Sequence, residues 1–266
     1  MDKSPIIEIR SLCKTFGQFR AVDNLDITVN QGDIYGFLGP NGAGKSTTIR
    51  MLLSLISPTS GNISVFGHSL LTHRNQILSG IGAIVEKPDF YLYLTAEQNI
   101  NILAKLHGID LGIKEIHRAL DQVGLLDRAK SKVKTFSYGM KQRLGISQAL
   151  IHNPQLIILD EPTNGLDPAG IQEVRQLLRN LADQGMTVFV SSHLLSELEM
   201  ISNHLVMLRE GQVLFTGPID QLLLAQKPVL VAKTAAISDL TRLQEIVRAT
   251  GRSAEILNDE IGRAHV

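Results

Sequence analysis

The chain of 266 residues has no Trp, a single cysteine (Cys13) and no net formal charge, with 26 basic and 26 acidic residues. One cysteine cannot form an internal disulfide, which suits a reducing compartment. Balanced charge supplies no basic footprint for nucleic acid. No window reaches the roughly 18 uncharged apolar residues of a membrane span, so any path through a membrane must come from another polypeptide. Met1–Arg10 lacks the apolar core of a secretory signal. Aromatics make up only 5% of the chain, yet apolar residues make up 44%, ample for a large core.

The chemistry is concentrated in a few short stretches. Gly39-Pro40-Asn41-Gly42-Ala43-Gly44-Lys45-Ser46 matches G-x-x-x-x-G-K-[ST] in full. A short apolar strand, Ile34–Leu38, runs into it, and Ser46–Leu55 reads as the helix that follows. Glycines let backbone N–H groups curl around phosphate oxygens, and the helix aims its positive end at the same anion. Lys45 is expected to reach the β- and γ-phosphates, the Ser46 hydroxyl to bind Mg²⁺, and Thr47 to lie beside them in the first helical turn.

Leu156-Ile157-Ile158-Leu159 ends in Asp160-Glu161, which places two carboxylates where α/β sheets hold ligands, at a strand's carboxyl end. Asp160 is the expected Mg²⁺ holder and Glu161 the general base that orients the attacking water. Between these two elements lies Phe136-Ser137-Tyr138-Gly139-Met140-Lys141-Gln142-Arg143, a Ser-x-Gly opening a basic helix.

Strand patterns at Ile6–Leu12, Leu25–Val29, Ile63–Phe66, Ile81–Val85, Thr187–Ser191 and 205–216 alternate with helical ones. The expected fold class is α/β, with parallel strands at the centre of the sheet. A helical lobe spanning about 88–154 is inserted in it. Residues 6–232 form the main domain and 233–266 an extension. The final seven residues, 260–266, back-translate to the start of a common sequencing adapter (GAG ATC GGA AGA GCA CAC GTC). The native chain is therefore expected to continue past Asp259.

These motifs, in this order and spacing, resemble the ABC ATPases, the ATP-driven subunits of ABC transporters. The likeness runs from about Ile6 to Pro218. It implies a RecA-like phosphate-loop core with an antiparallel β subdomain and the inserted helical subdomain. It also implies ATP and Mg²⁺ as ligands, a second ATP-binding subunit (a homodimer is permitted, since both half-sites are intact) and integral membrane permease subunits. The chain would then sit at the cytoplasmic face of the membrane through the permease. In such a pair, Ser137, Gly139 and Met140 act on nucleotide held by the other subunit. Asp167, in Asn164-Gly165-Leu166-Asp167, touches the partner's site. His193 matches a histidine that contacts the γ-phosphate, Phe16 an aromatic that stacks on adenine, and Val22 an apolar contact to the base.

Two positions depart from the family pattern. Glu86 stands where the family has Gln, which keeps metal coordination possible but removes a donor. Tyr138 stands where the usual signature has Gly. Residues 88–95 and 140–144 are most similar to bacitracin-resistance and lantibiotic-immunity exporters, implying export of a peptide antibiotic, drug or similar compound. Competing expectations are a regulatory subunit with weak hydrolysis, a non-transport ABC ATPase and another phosphate-loop enzyme. Only 92 positions separate Lys45 from Ser137, too few for the long coiled coil of repair and chromosome members.

Overall fold

In the computed structural model, the described residues are 4–225, 229–232, 254–258 and 261–265. The chain divides into two compact units, Met1–Ile219 and Asp220–Val266. The first begins with strands β1 (Pro5–Phe16), β2 (Phe19–Asn30) and β3 (Ile34–Leu38), then helix α1 (Lys45–Leu52). There follow β4 (Ser60–Val65), β5 (His68–Ser69), α2 (Arg74–Leu78) and β6 (Ile81–Ile84). Next come α3 (Ala96–Leu106), α4 (Ile113–Gln122) and α5 (Tyr138–Leu150), then β7 (Leu156–Leu159) and α6 (Pro168–Asp183). The unit closes with β8 (Thr187–Ser192), α7 (Leu195–Glu199), β9 (His204–Arg209) and β10 (Gln212–Pro218).

A six-stranded sheet in the order β10-β9-β3-β8-β7-β6 is the frame. Five of its strands run parallel, and β10 is an antiparallel edge made by a hairpin with β9. Every residue of β3, β7 and β8 is buried. These are the near-continuous apolar runs that a parallel strand needs when both its faces are covered. Leu156 and Ile158 face a core shared with the strands β1, β2 and β4, whereas Ile157 and Leu159 face the helices. The Phe37 and Phe189 rings meet at 5.2 Å and lock β3 to β8 on the first of these faces.

A second sheet, β2-β1-β4-β5, is antiparallel. The expected strands Ile6–Leu12 and Leu25–Val29 are only the buried middles of β1 and β2, twelve residues each, which pair from Pro5↔Asn30 to Phe16↔Phe19. Their tips project past the core, and register shifts on either side of Leu12 break the alternation there.

The helical lobe lies between β6 and β7. Thr95 opens α3 with a capping box: its hydroxyl accepts from Gln98 N and the Gln98 side chain accepts from Thr95 N. Among the described residues no helix is long and apolar enough to cross a membrane. Helix α8 (Ile219–Ala225) starts at the last residue of the first unit; the second unit holds the rest of it and β11 (Val229–Ala232), β12 (Ala254–Asn258) and β13 (Ile261–His265), ordered β11-β13-β12 in an antiparallel sheet. The adapter-like residues thus include all of β13.

Candidate nucleotide site

The parallel strands β3, β7 and β8 end at the same edge of the sheet, and the motif residues follow them directly. Gly39 N donates to Ser192 O, which stitches the start of the phosphate loop to the end of β8. Gly42 and Gly44 have φ of 82° and 103°, backbone that L side chains rarely adopt. Gly44 is doubly constrained: a Cβ there would lie 2.5 Å from Ala21 O. That contact holds the loop against β2 and brings its N–H groups to the mouth of α1.

Lys45 is 95% buried in side-chain terms (5% exposed) and opens α1. Its ammonium donates to Gly39 O at 2.6 Å and Pro40 O at 3.2 Å, and pairs with Glu161 Oε1 at 3.2 Å. The other Glu161 oxygen lies 2.9 Å from His193 Nδ1. A continuous polar chain therefore runs from the phosphate loop through Glu161 to His193, joining residues from three separate strand ends. Asp160 is buried. Ser191 ties the two carboxylate residues together: its hydroxyl donates to Asp160 Oδ1 at 2.5 Å and accepts from Glu161 N at 2.9 Å. Glu161 itself has φ 48°, a left-handed backbone uncommon for a residue with a side chain. Ser191 was invisible as a site residue in the sequence. The one available signal was a hydroxyl in a wholly buried strand two positions before His193.

A cleft of about 220 Å³ opens over this loop, lined by Phe19, Ala21, Asn41, Gly42, Gly44, Lys45, Ser46, Thr47 and Glu161. Its aromatic wall is Phe19, across the hairpin from Phe16. The expected ring, Phe16, is absent from the lining, and Lys14 Nζ lies 4.9 Å from its centroid. Val22 is fully buried beside Gly44, and Ala21, its neighbour on the other face of β2, lines the cleft in its stead. The two-residue period of a strand accounts for that exchange.

The donor set suits Mg²⁺: Ser46 hydroxyl and Asp160 carboxylate are hard oxygens, and Mg²⁺ takes few protein ligands beside phosphates and water.

Ser137 is the N-cap of α5, accepting from Met140 N at 3.2 Å. Tyr138 is 39% exposed. A Cβ on Gly165 would be in ordinary contact with the Tyr138 ring, so the turn at 164–167 lies beside the signature. Gly139 faces the same turn, near Leu166. Among the described residues, those lining the cleft include none from 137–140. Asp167 caps α6 by accepting from Gly170 N at 3.1 Å, with Pro168 in the first turn. Asp167→Ala is expected to cost about 1 kcal/mol of stability, read as a lowered denaturation midpoint; an unchanged midpoint would remove the cap from the account.

Glu86 follows β6 with φ 68° and pairs with Arg50 of α1 at 2.5 Å. Both side chains are well exposed (68% and 45%), so the pair contributes at most about 1 kcal/mol. Next to it, Lys87 Nζ sits 5.8 Å from the Tyr138 ring centroid. The two departures from the family pattern are thus joined through one dipeptide.

A phosphate loop on a buried parallel strand, with paired acids on a neighbouring strand, defines the class: a phosphate-loop nucleoside triphosphatase. The ABC transporter family profile matches residues 22–164. The bacitracin transport ATP-binding protein BcrA of Bacillus licheniformis is 53% identical over 220 residues, 82% of this chain and 72% of that protein. The lantibiotic transport ATP-binding protein SrtF of Streptococcus pyogenes is 41% identical over 217 residues, 81% of this chain and 92% of that protein. Among solved structures, the ATP binding subunit of an ABC transporter superposes with a TM-score of 0.71 at 30% identity, covering 82% of this chain and 91% of that one. The chain belongs to the ABC transporter ATP-binding family and is an ATPase subunit of that family.

Proposed function

We propose that this subunit powers export of a peptide antibiotic or similar compound through separate permease subunits, as one of a pair of ATPase subunits at the cytoplasmic face of the membrane. The observation that carries the catalytic part is the chain Lys45–Glu161–His193, anchored by Asp160 and Ser191 beside the phosphate loop. The names of the relatives at 53% and 41% identity, a bacitracin and a lantibiotic transport protein, support the choice of cargo class.

Phosphoryl transfer to water needs positioning and charge stabilisation more than covalent help. The loop N–H groups and Lys45 would hold the β- and γ-phosphates. Glu161 would accept the proton of the attacking water, oriented by His193 on its second oxygen. Ser46 and Asp160 would hold Mg²⁺, which neutralises charge developing on the phosphate oxygens. Ser137 and Gly139, outside the cleft of their own chain, would close on the nucleotide of a second subunit. Asp167, beside them, would meet the same site. Phe19 or Phe16 would offer a face to adenine, and the exposed position of Phe19 on the cleft favours it.

Two experiments test this. Co-expression of the chain with its permease in a sensitive host should raise the concentration of bacitracin or a lantibiotic needed to stop growth; no protection against either class overturns the cargo reading. Glu86→Gln should raise steady-state hydrolysis severalfold, because it removes a negative charge near the phosphates and restores a donor. An unchanged rate would make Glu86 incidental.

A further inference from the structure

Glu197, on α7, has no place in the motifs, yet one oxygen of its carboxylate joins both arms of the site. Glu197 Oε2 accepts from Thr163 Oγ1 at 2.7 Å and from Ser192 Oγ at 2.8 Å. Thr163 lies two residues after Glu161, and Ser192 directly precedes His193. Ser192 Oγ also accepts from Leu194 N at 3.0 Å, which fixes the chain on the far side of the histidine. Thr163 and Ser192 are buried. The adjoining cavity is only about 10 Å³, at the lower limit for a water molecule, so water is a poor substitute for the carboxylate.

We infer that Glu197 is a positioning residue for hydrolysis: it clamps the segment after Glu161 to the segment before His193 and thereby sets the 2.9 Å contact between them. This rests on the reading that Glu161 and His193 handle water and γ-phosphate. The physical warrant is that β7 and β8 are paired only as far as Leu159↔Val190, so beyond that point the spacing of Glu161 and His193 rests on side-chain bonds between the two segments. The backbone at Glu161 is left-handed, and a strained conformation persists only where its surroundings over-determine it. The Thr163 contact, immediately downstream, is one such restraint, and the Ser191 bond to Glu161 N is the other. Charge on Glu197 is not what the clamp uses; it uses an oxygen able to accept two hydroxyl bonds. A misplacement of about 1 Å at a reacting group costs on the order of a hundredfold in rate, so a clamp of this kind acts on turnover more than on binding.

The test compares Glu197→Ala, Glu197→Gln and the isosteric Thr163→Val in the purified full chain. Its readouts are steady-state ATP hydrolysis, titration with a fluorescent ATP analogue and thermal melting, with Glu161→Gln alongside. Glu197→Ala should lower kcat about tenfold or more while KM and the nucleotide Kd stay within about twofold. Glu197→Gln should recover to within about threefold of the parent, because its amide oxygen accepts both hydroxyls. Thr163→Val should lower kcat in the same direction, and the double variant should lose no more than Glu197→Ala alone. Parent-like kcat in Glu197→Ala beside an inactive Glu161→Gln overturns the clamp, as do additive losses or a Glu197→Gln as poor as the Ala variant. Equal loss of Kd and kcat would make the residue merely structural and also overturns it. Parent-like hydrolysis by Glu161→Gln removes the reading beneath the clamp, a result distinct from all of these.

Discussion

Glu161→Gln is expected to bind ATP as the parent does and to lose hydrolysis by about 10²–10⁴-fold, the range that general-base catalysis supplies. The residue touches Lys45 with one oxygen and His193 with the other, and an amide keeps the shape and one acceptor while losing basicity. Binding should persist because the substitution leaves untouched the loop, Lys45 and Ser46, to which the phosphate contacts are assigned in the proposed mechanism. In a paired subunit the variant should also accumulate a closed, ATP-loaded dimer, since the contacts that ATP supplies are no longer removed. Size-exclusion chromatography with ATP and a phosphate-release assay together check this. Hydrolysis at the parent rate would show that Glu161 is not the base.

Lys45→Ala is expected to weaken ATP binding by on the order of a hundredfold. Charge-assisted hydrogen bonds contribute about 1.5–3 kcal/mol each, and about 2.7 kcal/mol corresponds to that factor. The side chain is buried, and its partners are carbonyl oxygens of the phosphate loop and one carboxylate. Removing it leaves Gly39 O and Pro40 O without their ammonium donor and Glu161 with one partner fewer. The loss should therefore appear in both affinity and turnover, unlike that of Glu161→Gln. Calorimetric titration measures it directly; an unchanged Kd would remove Lys45 from the phosphate role. The two variants separate binding from chemistry within one polar chain, which a single inactive mutant could not do.

The aromatic side of the cleft shows where reading the chain in order was weakest. Phe16 and Phe19 flank the turn of one hairpin, and composition cannot say which ring faces the cleft. Phe16 and Phe19 are paired across the strands and share a face, yet Phe19 lines the cleft with Ala21 and Phe16 does not, while Val22, the next residue along β2, is buried. An offset of one residue moves a side chain to the opposite face. The unusual Glu86 is a different case. Its identity was plain from the sequence, but its partner Arg50, 36 positions earlier, became visible only in the folded chain.

The sequence by itself determined the phosphate loop, the paired acids, the Ser-x-Gly helix start and the family, along with the α/β class. Each of these is carried by residues next to one another, whose function depends on local backbone: glycines that permit the loop, a strand end that presents carboxylates, a cap that starts a helix. Only the tertiary structure decided how Glu161, His193 and Lys45 meet, that Ser191 holds both acids, that Phe19 lines the cleft and that Glu197 spans two strand ends. The reason is geometric. Parallel strands are joined by long crossovers, so residues that share a hydrogen bond across the sheet edge are about 30 positions apart, and no local pattern records which of them will touch.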